Sequence, residues 1–412
     1  MELLRGAVRP YAWGSRTTIP ELLGRPVPAP HPEAELWMGA HPGDPSWLVD
    51  SSGIERNLLE LVEEDPVAQL GERCANHWGG RLPYLLKILA VEEPLSMQAH
   101  PSARQAAEGY RREEAAGIPR DAPNRNYPDP TAKPELVCAL TEFHALAGFR
   151  DPHRTVALLR AIETPGLTKY TELLAGQPDP DGLRALFTTW ITLPQSALDE
   201  LLPEVLDACV LHVKDHGEFD TECRTVLELG ETHPRDAGVL AALLLNRLTL
   251  SAGEAIYLPA GNLHLYLHGT AVEILANSDN ILRCGLTPKH VDVPELLRVV
   301  DFACGEMPVS RGEATEPNAR MAVYRTDAPE FELARIEWTD SDGEAIELDC
   351  TGPQILLCTQ GELVARANDG ATIELRRGQS MWLSAADPVV TVRPMGANGA
   401  RLFRATPGTC PD

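Results

Sequence analysis

At 412 residues and 43% hydrophobic content, the chain is long enough for two or three buried cores and contains no uninterrupted apolar stretch of membrane-spanning length. A formal net charge of −24 argues against a nucleic-acid partner, whose phosphates are gripped by basic surface, and requires that cations for any anionic substrate be gathered locally. Nine scattered cysteines, never in a C-x-x-C arrangement, exclude a disulfide framework and a thiolate zinc site; with an opening MELLRGAVRPYAWGS that lacks an apolar signal region, the chain reads as cytoplasmic.

Two aromatic clusters come first, Tyr11-Ala12-Trp13-Gly14 and Glu35 to Pro42, in which Trp13 and Trp37 read as core aromatics and His41 as a turn histidine. Leu58, Leu59, Leu61, Val62 and Val67 predict a short helix within 57–69. Tyr84 to Val91 is a continuous apolar run, a buried strand or a short helix by pattern alone. Beyond Pro94, strand alternation places Ser96, Gln98 and His100 on one face and Leu95, Met97 and Ala99 on the other, as in the wall of a polar cavity. Ser102 with Gln105 predicts a capping box opening a helix that runs to about Glu114. The loop 116–130, overlapping the arginine-rich stretch Arg104 to Arg125, has the length of a lid or rim. A further strand, Thr131 to Leu140, presents Lys133 and Glu135 on a common face.

From Arg150 to about Asn246 the period becomes helical, with stripes through Leu183, Leu186, Phe187 and Trp190, through Leu198 to Val213, and from Ala237 to Leu248. His153, His212, His216 and His233 have no partner at ligand spacing there and read as surface or packing residues. At Gly253 the chain predicts a strand over 255–258, a turn at Pro259 and Gly261, and a second strand presenting His264, Tyr266 and His268 on one face; a turn at Gly269-Thr270 leads to Glu273. A short helix after Val293 and a linker over 310–318 follow. From Ala322 alternating strands return, and Gly378 to Leu383 echoes the approach to Gly253 without its proline, its second glycine or any histidine.

Gly253, Pro259, Gly261 and His264 have the spacing of the second cupin motif, which belongs to jelly-roll barrels that hold a metal. Their continuation through Asn277-Ser278-Asp279-Asn280 to Arg283 and Lys289, with Gln-Ala-His at 98–100 and Lys-Pro-Glu at 133–135, resembles the type I phosphomannose isomerases. These are zinc enzymes interconverting mannose 6-phosphate and fructose 6-phosphate. The resemblance spans essentially the whole chain. It implies a mainly β fold with a helical insertion: a discontinuous cupin-type jelly-roll catalytic barrel (1–149 and 247–320), an all-α insertion (150–246) and a degenerate, metal-free C-terminal jelly roll (321–412).

It also implies one Zn2+ per chain held by Gln98, His100, Glu135 and His264, although these donor types by themselves would also accept iron, manganese or cobalt. The absence of cysteine among them favours a catalytic over a structural metal. Moving a proton between adjacent sugar carbons needs an acid or base. Arg283 matches the family's active-site arginine, and Lys133 and Glu273 are the other candidates; the residues alone do not choose. Ser96 and Lys289, with Arg283 shared, are implied to bind the substrate phosphate, and Tyr266 and His268 to support the metal ligands. The expected partner is a small sugar phosphate, with no nucleic acid, no membrane and a monomeric chain. The expected role is supply of mannose for GDP-mannose and other nucleotide-sugar synthesis, or mannose catabolism. A metal-dependent cupin oxygenase and a sugar-phosphate binder with a dead site are the rival readings.

Overall fold

The computed structural model describes residues 1–50, 52–315, 318–339, 343–396 and 398–409. Tyr84–Val91 forms a strand buried at every position, because its two faces serve different spaces. Leu86, Ile88 and Ala90 pack into an apolar core, while Leu85, Lys87 and Leu89 line a cavity. That double burial makes the run look continuous in sequence.

This strand pairs antiparallel with Glu35–Met38 on one side and with His264–Ala276 on the other. His264–Ala276 is the long shared element. Its first half pairs with Phe143–Phe149 and meets Gln98 of the short strand Met97–Ala99. Its second half lies between Tyr84–Val91 and Glu135–Ala139. Leu282–Gly285 then joins Met97–Ala99 from the other edge. Leu263, Leu265 and Leu267 face a core shared with the helices, leaving His264 and Tyr266 for the opposite side.

Helices Pro152–Ala161, Pro165–Gly176 and Pro180–Ile191 begin alike. Asp151, Thr164 and Asp179 cap them, and a proline occupies the first turn, where a missing N–H costs nothing. Gln195–Lys214 and Asp220–Thr232 follow. The helical reading of Ala237 to Leu248 is corrected: only Gly238–Ala242 is helical, and Leu245–Leu250 is a strand on the edge of Phe143–Phe149. A short apolar run fits either state, and the open strand edge decides it. The linker expected over 310–318 carries the short strands Val309–Ser310 and Glu313–Thr315.

The last part of the chain forms two facing sheets. One runs Glu313–Thr315, Asn318–Tyr324, Glu332–Trp338, Ala400–Thr406, Gln354–Gln360 and Ser380–Leu383; the other contains Ile346–Leu348, Val390–Pro394, Glu362–Ala367 and Thr372–Arg376. The space between them is filled by Ile336, Trp338, Leu356, Leu363, Leu375, Val390 and Leu402. The first sheet continues past Ser380–Leu383 into Glu2–Arg5, Trp47–Val49 and Glu55–Asn57. Strands from the start of the chain therefore extend the sheet of its end.

The capping box at Ser102 and Gln105 is present and opens helix Ala103–Ala115. The 116–130 segment is packed down rather than free, and its Asp129 meets the cavity wall by accepting from Ser278 and Asp279. Glu113 accepts the N–H groups of Asn126 and Tyr127 at 3.0 and 2.9 Å, Tyr127 is fully buried, and none of its residues lines the cavity. None of the eight described cysteines is in a disulfide; Cys410 lies outside the described residues. No helix among the described residues is long and apolar enough to cross a membrane.

Candidate active site

Cross-strand register brings the site together. Gln98 stands opposite His264 on one side and Arg283 on the other, and Glu135 is registered with Leu275 of the long strand. His100, just past the end of Met97–Ala99, places Nε2 3.2 Å from Glu135 Oε1; His264 Nε2 lies 3.4 Å from Glu135 Oε2. All three side chains are buried.

The other ring nitrogens fix the tautomers. His100 Nδ1 lies 2.7 Å from the Asn280 carbonyl and His264 Nδ1 3.0 Å from the Asn262 carbonyl. A carbonyl can only accept, so both Nδ1 atoms carry the hydrogen and both Nε2 atoms present lone pairs inward. Burial pushes His100 down to about 4 despite the neighbouring Glu135, which keeps the ring neutral. Neither Nε2 has a hydrogen-bond partner. Two lone pairs and a carboxylate converging in a buried space repel one another unless a cation sits among them, so these donors fit a divalent metal. Gln98 is half-buried and lines the same space.

The surrounding cavity is about 490 Å³ and is lined by all nine of the residues inferred from sequence except His100 and His264, which lie at its floor behind Glu135. Its interior is densely charged. Tyr266 donates its hydroxyl to Glu273 Oε1 at 3.0 Å and approaches Glu135 Oε2 at 3.3 Å. Lys87 Nζ lies 3.1 Å from Glu273 Oε2 and 3.6 Å from Glu35 Oε2, while Lys133 Nζ is 3.7 Å from Glu135 Oε1. Burial would lower the Lys87 ammonium, but Glu35 and Glu273 outweigh it and raise the group. Glu273 is raised, first by burial and then, against Lys87, by the charges of Glu135 and Glu35.

Simple alternation cannot put His264, Tyr266 and Glu273 in one cavity, because 264 and 273 differ in parity. A β-bulge between Tyr266 and His268 resolves this: two residues of the long strand stand against one of Phe143–Phe149. The expected turn at Gly269-Thr270 is thus a continuous strand, and Gly269 adopts φ 120° where a Cβ would stand 2.5 Å from the Glu142 carbonyl. The bulge also corrects His268, which is exposed and 6.4 Å from the His144 ring rather than supporting the ligands.

Three further residues escaped the sequence reading. Lys87 was hidden in an apolar run, though a lone lysine among eight buried positions is itself a signal. His41 is no mere turn residue: Nδ1 accepts the Gly43 N–H at 3.0 Å and Nε2 reaches Asp279 Oδ1 at 3.2 Å beside the cavity. His233, read as packing, lines the mouth. Trp13 and Trp37 form cavity wall as well as packing surface.

The same cavity is also lined by Ser96, Arg283 and Lys289. Burial lowers the Arg283 guanidinium with no carboxylate opposing, and Lys289 is lowered by burial and then by Arg283. In a chain of net charge −24, two adjacent cations without an acidic partner among the described residues suit an incoming anion.

Fold and site together define a β-sheet protein with an internal metal-ligand cluster and an anion-receiving mouth. The model for the phosphomannose isomerase type I catalytic domain matches residues 1–152. Mannose-6-phosphate isomerase of Salmonella typhimurium is 37% identical over 98% of this chain and 99% of its own, and that of Escherichia coli 36% identical over 96% and 98%. The Salmonella typhimurium enzyme solved with substrate and zinc bound superposes with a TM-score of 0.87 at 34% identity, covering 99% of both chains. The chain belongs to the type I mannose-6-phosphate isomerase family.

Proposed function

We propose that the protein is a zinc-dependent aldose–ketose isomerase interconverting D-mannose 6-phosphate and D-fructose 6-phosphate. The observation that carries this is the pair of partnerless imidazole Nε2 atoms facing Glu135 beneath a cavity with free cations at its mouth. His100, Glu135 and His264 hold the zinc with Gln98, a neutral amide that leaves the ion more electrophilic than a further charged ligand would. When bound, the ion supplies Lewis-acid polarisation of the opened sugar's oxygens.

The remaining steps belong to side chains. Ser96, Arg283 and Lys289 bind the phosphate and fix which end of the sugar enters first. Glu273, oriented by Tyr266 and Lys87, takes the proton from the carbon beside the carbonyl and returns it to the adjacent carbon. Its raised proton affinity suits a base that must also give the proton back. Lys133, beside Glu135, offsets negative charge developing on the sugar oxygens. Arg283 is better placed for charge than for proton transfer, because a guanidinium scarcely deprotonates.

The sheets around the cavity read as a cupin-type jelly roll, the helices of 150–246 as an insertion, and 321–412 as a degenerate roll without ligands that borrows strands from the chain start. The protein acts as a cytoplasmic monomer on a small sugar phosphate, feeding GDP-mannose formation or mannose catabolism. A coupled isomerase assay on mannose 6-phosphate before and after chelation tests the reading: turnover is lost with the metal and returns with zinc. Absence of turnover in metal-replete protein overturns it.

A further inference from the structure

The loop carrying Lys289 is held in a conformation that its own residues disfavour. Leu286 lies at φ 57°, the left-handed region that a leucine side chain crowds. Asp236, in the segment between Asp220–Thr232 and Gly238–Ala242, compensates. One carboxylate oxygen accepts the Leu286 N–H at 2.7 Å and the other accepts the Gly238 N–H, also at 2.7 Å. The backbones can approach because neither carries a Cβ at the contact: one added to Gly285 would stand 2.5 Å from Asp236 Oδ1 and 3.2 Å from Gly238 Cα. Three residues upstream, His233 lines the cavity, and its carbonyl accepts the Asp236 N–H at 3.2 Å. A single stretch of the helical segment therefore both faces the cavity and clamps its loop.

We propose that Asp236 is a positioning residue for phosphate binding: it holds Gly285 to Lys289 so that the Lys289 ammonium and the Arg283 guanidinium face the same anion. The inference rests on the phosphate assignment above. A carboxylate is required because two N–H donors converge on it and each oxygen accepts one; an amide offers a single acceptor. Without the clamp Leu286 relaxes toward negative φ and Lys289 swings away from Arg283. The effect falls on the phosphate end of the cavity, not on proton transfer beside Glu273.

The test compares Asp236→Ala and Asp236→Asn with Lys289→Ala in the full-length, zinc-loaded enzyme. Asp236→Ala raises both KM for mannose 6-phosphate and the inhibition constant of inorganic phosphate about tenfold, with kcat within about threefold of the parent. In the Lys289→Ala background the Asp236→Ala change adds less than about twofold, because its route of action is gone. Unchanged KM and phosphate inhibition in Lys289→Ala remove the phosphate assignment and this inference together. If Lys289→Ala raises both while a folded Asp236→Asn enzyme keeps parental values, only this inference falls. Should Asp236→Ala fail to fold, Asp236→Asn, which keeps one of the two bonds, decides. A loss of folded enzyme with unchanged KM marks Asp236 as merely structural and overturns the proposal.

Discussion

Two antiparallel sheet regions of this molecule enclose a space, and they fill it in opposite ways. Around the long strand His264–Ala276 the space is lined with Glu35, Lys87, Lys133, Glu135 and Glu273, each at most 7% exposed. Between the C-terminal sheets the described residues that fill it are apolar, among them Leu356, Leu363, Trp338 and Leu402. Taking charges out of water costs several kcal/mol per ion and is tolerated only when each is partnered. The first region meets that condition through Tyr266, Lys87 and Lys133, and leaves two ring nitrogens unmet. The second contributes apolar burial. The same architecture is thus a site or a support depending on which side chains occupy the inward positions.

The strongest way to break this contrast is to remove a converging donor. His264→Ala is expected to lower activity roughly a thousandfold or more and to abolish stoichiometric zinc measured by atomic absorption, with far-ultraviolet circular dichroism retained. Full zinc content in that variant would show that the cluster is not the metal site. Glu273→Gln keeps shape and removes the base; kcat should drop about a hundredfold or more while KM moves little. A parental kcat would move the proton transfer to Lys133.

Leu356→Ala examines the other region. It should cost about 3 kcal/mol in denaturant unfolding, with kcat/KM per folded molecule unchanged. An equal loss of kcat/KM would mean that the C-terminal core shapes the site after all. The smallest expected effect is that of Ser102→Ala, which removes the oxygen accepting the Gln105 N–H and should cost about 1 kcal/mol. Because the helix it opens follows directly from His100 and Pro101, unchanged activity there would confine catalysis to the cavity itself.

What could be read in the chain beforehand was whatever is encoded over a few residues. The Ser102 capping box and the alternation of Gln98 against Met97 and Ala99 are local, and they stand as expected. Glu273 is legible as a strand residue, but the turn expected before it at Gly269-Thr270 is a bulged, continuous strand, since a bulge depends on the partner strand as much as on its own. Lys87 went unnoticed because a strand buried on both faces loses the alternation that would have marked its cavity side. His41 and Asp279 are far apart in sequence and meet only across the cavity.

By itself the sequence determined most of the regular elements, the two imidazoles and the carboxylate that converge, and the family, because these depend on residue type and short spacing. Tertiary structure alone decided that the chain start extends the C-terminal sheet, that Lys87 ion-pairs with Glu273, and that Asp236 reaches the Leu286 loop from the helices. Such contacts join residues tens to hundreds of positions apart. They arise from register, a bulge and backbone approach at glycine, none of which leaves a pattern within any one segment.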